Sequence, residues 1–192
     1  MIIGIIDCGG ANLNSIYFSF KRLGINTVIS NSKNELSGLD AYVLPGVGSA
    51  NAVMQCLRDK SLIDFIKNIT KPVLGICIGM QIMYEYSEEG DTQCLGIIDG
   101  KIKKFKSDKS LTVPQMGWNK LVCNDDLKSL NGHYYYANSF YTDSTDSAMG
   151  YTEYGVNYTS LVKKNNFIGC QFHPEKSSVN GEKFLQYFLT TA

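Results

Sequence analysis

The sequence has no excess of charge of either sign, because 18 Lys and Arg residues balance 18 Asp and Glu residues. A surface that binds nucleic acid or anionic lipid needs clustered Lys and Arg to neutralise phosphates. The chain also lacks an apolar run of membrane-spanning length, and its first residues lack the basic start of a signal peptide. We therefore predict a cytoplasmic protein that binds neither nucleic acid nor a membrane.

Histidine is scarce, with 2 residues in 192, and the 6 cysteines are scattered without a Cys-x-x-Cys pair. The usual Cys/His spacing of a zinc site is therefore missing, and no metal site is predicted. A disulfide scaffold is also disfavoured, because a chain of this length builds a hydrophobic core without one. Most of the cysteines are expected to be ordinary reduced thiols.

The first half of the sequence alternates strand patterns with helix patterns. Short apolar runs predict strands at 2–6, 27–30, 41–44 and 72–76. Apolar residues at helical spacing predict helices at 13–23, 50–57, 62–69 and 78–86. Strands buried on both faces by crossover helices give this alternation, which predicts a mainly parallel sheet.

The second half has shorter segments that are separated by turns. These segments are 94–98, 101–105, 118–123, 133–137 and 160–164, followed by a core strand at 167–172 and a final helix at 181–189. They indicate an antiparallel or mixed extension of the sheet. The sequence therefore predicts one α/β domain over residues 1–192, with a mainly parallel open sheet flanked by helices and an antiparallel or mixed extension.

A Gly-x-Cys-x-Gly motif at 75–79 lies between a predicted strand and a predicted helix. It has the form of a nucleophile elbow, a sharp turn that presents its central side chain at the carboxyl end of a strand. The amino end of the following helix favours the thiolate, which is the reactive form. Cys77 is therefore the candidate nucleophile, although a buried structural cysteine in a tight turn would also fit these five residues.

A base for Cys77 must come from one of the two histidines. His133 has no acidic neighbour and is interpreted as an ordinary polar residue. His173 ends a predicted strand within the sequence Gln-Phe-His-Pro-Glu at 171–175. Strand residues two apart point the same way, so Glu175 is placed to orient His173. The sequence predicts a Cys-His-Glu triad from these residues.

An oxyanion hole is the third requirement of such a site. The backbone N–H of Ile78, directly after the nucleophile, is one predicted donor. The glycine-rich loop at 45–48 ends a neighbouring predicted strand and lets Val47 and Gly48 turn an N–H toward the developing charge. This loop fits neither the dinucleotide-binding nor the phosphate-binding glycine pattern, so no nucleotide cofactor is predicted.

Together these motifs resemble the class I glutamine amidotransferases, and among them the glutaminase subunits of the imidazole glycerol phosphate synthases of histidine biosynthesis. The likeness runs in order over nearly the whole chain. It rests on the segments at 7–15, 44–49, 75–81, 87–90, 116–119 and 171–177. The cysteine elbow and His-Pro-Glu belong to the whole superfamily, whereas the segments at 46–49, 79–81, 87–90 and 116–119 are more specific to this subunit.

The resemblance implies that Cys77 attacks the carboxamide of L-glutamine and forms a γ-glutamyl thioester, from which water releases glutamate. His173 would move the protons, and Glu175 would orient its ring. The family positions that hold or adjoin the glutamine correspond to Gly46, Gly48, Gln81, Glu89 and Ser139. The resemblance implies no cofactor.

The resemblance also implies a partner, a (β/α)8-barrel synthase subunit that receives the ammonia away from water and makes imidazole glycerol phosphate and AICAR. Asn12, Trp118 and Tyr135 correspond to positions where the family contacts this partner. If the loop at Val47 must flip to complete the oxyanion hole, the isolated chain should be nearly inactive until a liganded partner binds.

Two alternatives remain open at the level of sequence. The family usually has Tyr, Gly, His and His at four positions that here hold Cys8, Ala11, Gln115 and Asn138. These departures lie in segments that the family places near the partner or the ammonia exit, so one alternative is a paralogous glutaminase that supplies ammonia for amidation or amidination of a bacterial surface sugar. A cysteine peptidase could use the same triad, but it would not explain the subunit-specific segments.

Overall fold

The structure is a computed structural model that describes residues 1–9, 13–46, 48–107, 111–143 and 145–191. Its first half contains β1 (Ile2–Ile6), α1 (Leu13–Arg22), β2 (Asn26–Ser30), α2 (Lys33–Leu36), β3 (Ala41–Leu44), α3 (Ala50–Asp59), α4 (Ile63–Lys67), β4 (Val73–Ile76) and α5 (Ile78–Gln81). Its second half contains β5 (Tyr86–Ser87), β6 (Thr92–Gln93), β7 (Lys101–Lys104), β8 (Gln115–Cys123), β9 (Gly132–Asn138), β10 (Phe140–Tyr141), β11 (Ala148–Tyr154), β12 (Val156–Lys164), β13 (Phe167–Cys170) and α6 (Ser178–Leu189). Short 3-10 helices span Asp125–Leu130 and Pro174–Lys176.

Within the described residues the strands form a nine-stranded sheet, in the order β2-β1-β3-β4-β13-β12-β11-β8-β9, and a four-stranded sheet, in the order β10-β7-β5-β6. From β2 to β13 the neighbours of the larger sheet pair in parallel. From β13 to β9 they pair antiparallel. The predicted fold class, a parallel α/β sheet with an antiparallel extension, is confirmed.

The centre of the larger sheet is buried on both faces. Every residue of β3, β4 and β13 is buried, as the continuous apolar runs of these strands predict. Helix α5 packs against all three strands. Because neighbouring parallel strands end at the same edge of a sheet, the segments that follow β3, β4 and β13 meet there. These segments carry the glycine-rich loop, the cysteine motif and His173.

Two predicted elements of the sequence are wrong in detail. The helix predicted at 78–86 ends at Gln81, and the strand-like segment predicted at 94–98 has no strand structure. Instead, that segment donates backbone hydrogen bonds to carbonyls in the turn that follows α5. The N–H of Leu95 meets the carbonyl oxygen of Ile82 at 2.8 Å, and the N–H of Gly96 meets that of Tyr84 at 2.8 Å. The segment therefore pairs backbone carbonyls just beyond the helix, which a regular secondary structure does not satisfy there.

All six cysteines are free thiols in the structure. Cys8, Cys77, Cys123 and Cys170 are buried, whereas Cys56 and Cys94 are half-buried. In the described part of the chain, every helix falls short of the length and apolar character that crossing a membrane requires.

Candidate active site

Cys77 lies at the sharp turn between β4 and α5. Its backbone has φ 51° and ψ −107°, in a region that residues with a Cβ rarely adopt. The turn is held on both sides. The N–H of Cys77 donates to the carbonyl oxygen of Cys170 at 2.8 Å, and its own carbonyl accepts from the N–H of Gln81 at 3.0 Å. The surrounding structure thus enforces the strained conformation that defines a nucleophile elbow.

Two glycines let this turn lie directly against the end of β3. A Cβ at Gly79 would overlap the carbonyl oxygen of Leu44, and a Cβ at Gly46 would overlap that of Ile76. Both approaches are to backbone atoms, which cannot rotate aside as a side chain can. The glycine-rich loop and the cysteine turn are therefore fixed relative to each other.

His173 follows β13 and is held by its backbone and its ring. Its N–H donates to the carbonyl oxygen of Tyr135 at 2.8 Å, and its carbonyl accepts from the hydroxyl of Ser177 at 2.6 Å. Its ring Nδ1 lies 2.8 Å from Oε1 of Glu175, and both side chains are more than 90% buried. This contact leaves Nε2 as the ring nitrogen that is free to serve Cys77.

The electrostatics of this group favour a charged imidazole. Burial lowers the pKa of His173, but the charge and hydrogen bond of Cys77, followed by those of Glu175, outweigh it and raise the pKa to about 10. A protonated imidazole beside a thiolate is the arrangement of an activated cysteine nucleophile. The geometry can therefore carry out attack by sulfur together with proton transfer.

The His173 charge should make stability depend on pH above neutrality. Because its pKa is about 10 in the folded protein and its ordinary value is 6.5, folding strengthens proton binding. This contribution to stability is fully present below about pH 6.5 and is lost as the pH rises through about 10. We expect the melting temperature of the wild type, relative to that of His173→Gln, to fall across this range. A difference that stays constant with pH would contradict a charged His173.

A cavity of about 380 Å³ opens beside Cys77, a size within the range of small-molecule sites. Its lining includes the predicted substrate residues Gly46, Gln81, Glu89 and Ser139, the predicted oxyanion residues Gly48 and Ile78, and the three predicted triad residues. The structure thus brings together residues that are up to 129 positions apart, from Gly46 to Glu175. Val47 lies outside the described residues, so its predicted role stays a prediction.

Glu89 supplies a fixed negative charge at the cavity. Its Oε2 accepts a hydrogen bond of 2.7 Å from the N–H of Ala50, the first residue of α3. The amino end of a helix favours a carboxylate in this position. The backbone of Glu89 is also tied, because its N–H donates to the hydroxyl of Ser87 at 3.1 Å. A carboxylate held in this way can pair with the ammonium group of an amino acid.

Gln81 and Ile78 present polar groups from α5. The NH2 of Gln81 donates to the carbonyl oxygen of Phe140 at 3.2 Å. Its buried Oε1 has no hydrogen-bond partner among the described residues. Ile78 is the first residue of α5, where a backbone N–H has no acceptor within the helix. Gln81, which lines the cavity, therefore carries a buried acceptor that no described residue pairs with, and Ile78 carries a donor at the helix end.

Two of the three predicted interface residues, Trp118 and Tyr135, lie on the paired strands β8 and β9, of which β9 adjoins the cavity. Trp118 and Tyr135 stand opposite each other on β8 and β9, with their rings edge to face at 6.4 Å. Trp118 is 55% exposed and Met116 is 67% exposed. Lys176, which lines the cavity, places its Nζ 5.7 Å from the centre of the Tyr135 ring. Asn12, the third predicted interface residue, lies outside the described residues, as does Ala11.

Sequence reasoning did not single out Gln171 as a site residue. This side chain is fully buried, and its Nε2 lies 3.5 Å from Sγ of Cys77. The signal was present, because an extended segment directs residues two apart to the same side and Gln171 lies two before His173.

Two departures from the family pattern lie on neighbouring strands at this part of the molecule. Gln115 and Asn138 are buried cross-strand neighbours on β8 and β9, and Asn138 lines the cavity.

Comparison with known proteins agrees with this geometry. The family described as glutamine amidotransferase class-I matches residues 4–192. The Haemophilus influenzae protein named imidazole glycerol phosphate synthase subunit HisH is 45% identical over 97% of this chain and 96% of its own length. The Campylobacter jejuni protein named imidazole glycerol phosphate synthase subunit HisH 2 is 43% identical over 98% of both chains.

The fold is shared with solved structures at lower identity. A crystal structure of a glutamine amidotransferase has a TM-score of 0.79 to this chain at 17% identity and covers 100% of this chain and 98% of its own. At this identity the likeness shows the fold alone. The family match and the curated relatives extend over nearly the whole sequence. The chain therefore belongs to the class I glutamine amidotransferases and is an enzyme of that family.

Proposed function

We propose that this chain is a glutaminase subunit that hydrolyses L-glutamine to glutamate and ammonia and delivers the ammonia to a synthase in histidine biosynthesis. The observation that carries the proposal is one cavity that contains the Cys77–His173 pair at one side and the fixed carboxylate of Glu89 in its wall. Residues 1–192 would act as a single glutamine amidotransferase domain. Membership in the class I glutamine amidotransferases argues against the alternative of a cysteine peptidase.

The reaction proceeds by attack of the Cys77 thiolate on the carboxamide carbon of glutamine. The carbonyl oxygen becomes negative and accepts a hydrogen bond from the N–H of Ile78, with Val47 and Gly48 proposed to supply a second donor. The protonated imidazole of His173 gives its proton to the departing nitrogen, and ammonia leaves. Water then attacks the γ-glutamyl thioester, and His173 takes its proton. Glutamate is released, and the thiolate and the protonated imidazole are restored.

The cavity residues account for the choice of an amino acid as substrate. The Glu89 carboxylate pairs with the α-ammonium group, since its position is fixed by the N–H of Ala50. The free Oε1 of Gln81 accepts a further hydrogen bond from that group. Gly46 and Ser139 complete the wall beside the substrate. Holding the ammonium end of the glutamine in this way places its carboxamide against the sulfur.

The proposed recipient of the ammonia is a (β/α)8-barrel synthase subunit that makes imidazole glycerol phosphate and AICAR. The relatives support this, because their names describe them as subunits of imidazole glycerol phosphate synthase. The exposed Met116 and Trp118 beside the cavity form an apolar surface that such a partner would cover. Asn12 and Tyr135 are proposed to belong to the same interface.

A second recipient is favoured by one observation. Gln115 and Asn138, which replace histidines usual in the family, lie opposite each other on β8 and β9, and Asn138 lines the cavity. The hydroxyl of Tyr158 donates to Oε1 of Gln115 at 2.8 Å, so this part of the site has a polar arrangement of its own. A paralogous glutaminase that feeds a surface-sugar amidation or amidination enzyme would retain the triad and change these positions.

Glutamate release from L-glutamine tests the proposal. We expect the isolated chain to be nearly inactive and to gain activity when the correct synthase subunit and its ligand are added. The barrel subunits of the histidine pathway and of a surface-sugar cluster would be assayed in parallel and tested for co-purification. Activation by the second alone would reassign the recipient. Absence of glutamate release with either subunit would refute the glutaminase proposal.

A further inference from the structure

Two side-chain amides connect the substrate cavity to the sulfur of Cys77. The NH2 of Gln81 donates to Oε1 of Gln171 at 2.9 Å, and the NH2 of Gln171 donates to Sγ of Cys77 at 3.5 Å. The exposed fractions of Gln81, Gln171 and Cys77 are 1%, 0% and 4%. This chain of hydrogen bonds therefore lies away from solvent, where each bond is stronger and each loss is more costly.

The carbonyl oxygen of Phe140 fixes the direction of the chain. A carbonyl oxygen only accepts, so the part of Gln81 that meets Phe140 must be its NH2. The same NH2 meets Gln171, which must present its oxygen there. Gln171 then has its own NH2 directed at the sulfur, where a donor stabilises the thiolate. Turning either amide over would bring two donors or two acceptors together.

The cavity end of the chain is incomplete in the protein alone. The Oε1 of Gln81 is buried and has no partner in the part of the chain that the structure describes. An unpaired buried acceptor is costly until a donor reaches it, and the ammonium group of an amino acid supplies such a donor. Filling the cavity would thus complete a continuous series of hydrogen bonds from substrate to sulfur.

We propose that Gln171 is a positioning residue that couples substrate binding at Gln81 to the placement of the Cys77 thiolate. The inference rests on the proposed function and deepens it. A substrate hydrogen bond to the Gln81 oxygen polarises that amide, so its NH2 donates more strongly to Gln171. Gln171 in turn donates more strongly to the sulfur. The thiolate is then held most firmly when substrate is present.

Charged and titratable groups around the sulfur come from β12, from β13, from the segment after β13 and from the turn between β5 and β6. Against the effect of burial, the charge of Cys77 raises the pKa of His173, and Oε1 of Glu175 lies 2.8 Å from Nδ1 of the same ring. Burial, and to a lesser extent the charge of Cys77, raise the pKa of Cys170 and of Tyr158. Glu89 and Lys176 line the same cavity. Gln171 carries no charge, so its replacement leaves these groups in place. A changed pH response of the thiolate would therefore report the lost Gln171 hydrogen bond.

Alkylation of Cys77 by iodoacetamide measures the thiolate without requiring turnover. The rate would be followed from pH 6 to pH 10 by mass spectrometry of the peptide that contains Cys77. Gln171→Met keeps the length of the side chain and removes both amide groups. We expect its alkylation midpoint to rise by about one pH unit or more, because a hydrogen bond to a charged group is lost. Gln186→Met, on the exposed side of α6, is the control that should not move it.

Steady-state kinetics of the complex with its synthase test the coupling. We expect Gln171→Met to lower kcat/KM about 10-fold to 100-fold. Gln81→Met should lose substrate binding, and the double variant should be less impaired than the product of the two single effects, because both break one network. Gln171→Asn, which is one methylene too short to reach both partners, gives the same readings if Gln171→Met does not fold.

The outcomes separate this inference from the proposed function. An unchanged alkylation midpoint in a folded Gln171 variant overturns the inference, and so do single effects that simply multiply. Failure of the wild type to release glutamate would overturn the proposed function, and the kinetic coupling with it. The alkylation profile would still decide whether Gln171 holds the sulfur. Circular-dichroism melting confirms that each variant is folded before either measurement.

Discussion

Cys77→Gly is expected to abolish glutamine hydrolysis and, relative to Cys77→Ala, to stabilise the fold. Both changes remove the nucleophile, so kcat should fall by about 10⁴-fold or more. The backbone of residue 77 has φ 51° and ψ −107°, which glycine adopts freely and alanine does not. Such a conformation costs on the order of 1–3 kcal/mol for a residue with a Cβ. Glycine also loses about 0.5–1 kcal/mol through chain entropy.

The comparison with Cys77→Ala isolates the strain, because both variants lack the sulfur and its effect on His173. We expect the glycine variant to have the higher free energy of unfolding, by about 1 kcal/mol, in urea denaturation. At most positions in a protein, an alanine variant is more stable than the corresponding glycine variant. An alanine variant that equals or exceeds the glycine variant would show that the turn is relaxed. Glutamate release by either variant would remove Cys77 from its proposed role.

Gly79→Ala is expected to destabilise the fold by about 3 kcal/mol. The added Cβ would overlap the carbonyl oxygen of Leu44, and this oxygen belongs to a buried central strand. Relief would require β3 and α5 to separate, which would also displace Cys77. We therefore expect the variant that remains folded to lose glutaminase activity as well. Urea denaturation and glutamate release measure the two effects.

Gly24→Ala provides the matched control for this substitution. Gly24 has φ +75°, and a Cβ there would meet nothing within 4 Å. Its cost is conformational alone, about 1–2 kcal/mol, whereas Gly79 lies outside the positive-φ glycines and its cost comes from overlap. Activity per folded molecule should be unchanged in Gly24→Ala. A Gly79→Ala variant no less stable than Gly24→Ala would mean that α5 and β3 are not tightly packed at the turn.

The central strands and the candidate site residues Cys77, His173 and Glu175 could be identified from the sequence because their signals are local. The predicted bounds of β1 and β3 agree with the structure, since Asp7 and Pro45 end two continuous apolar runs. Cys77 was identified by its own neighbours, and His173 by the glutamate two residues later. The contact between them could be inferred only from topology, since parallel strands β4 and β13 end at the same edge.

The remaining features depend on contacts that a linear pattern does not record. The segment 94–98 is apolar enough for a strand, but it is used to cap the carbonyls after α5. Strand β11 was not predicted, because its sequence lacks a regular alternation of apolar and polar residues and its pairing with β12 shifts register at Gly150. Gln171 was overlooked for a similar reason. Its partners Gln81 and Cys77 lie about 90 residues earlier in the chain.

The bond between Glu89 and the start of α3 has a consequence for which amide can react. The Glu89 carboxylate is fixed in the wall of the cavity, and the sulfur is fixed by the Cys77 turn. The separation of these two groups sets the length of the substrate that can contact both. Glutamine spans the two points under the proposed function. Asparagine has one methylene fewer, so it reaches one point or the other. A misplacement of about 1 Å can cost roughly 100-fold in rate, and the rigidity of both ends thus turns a difference of one carbon into selectivity.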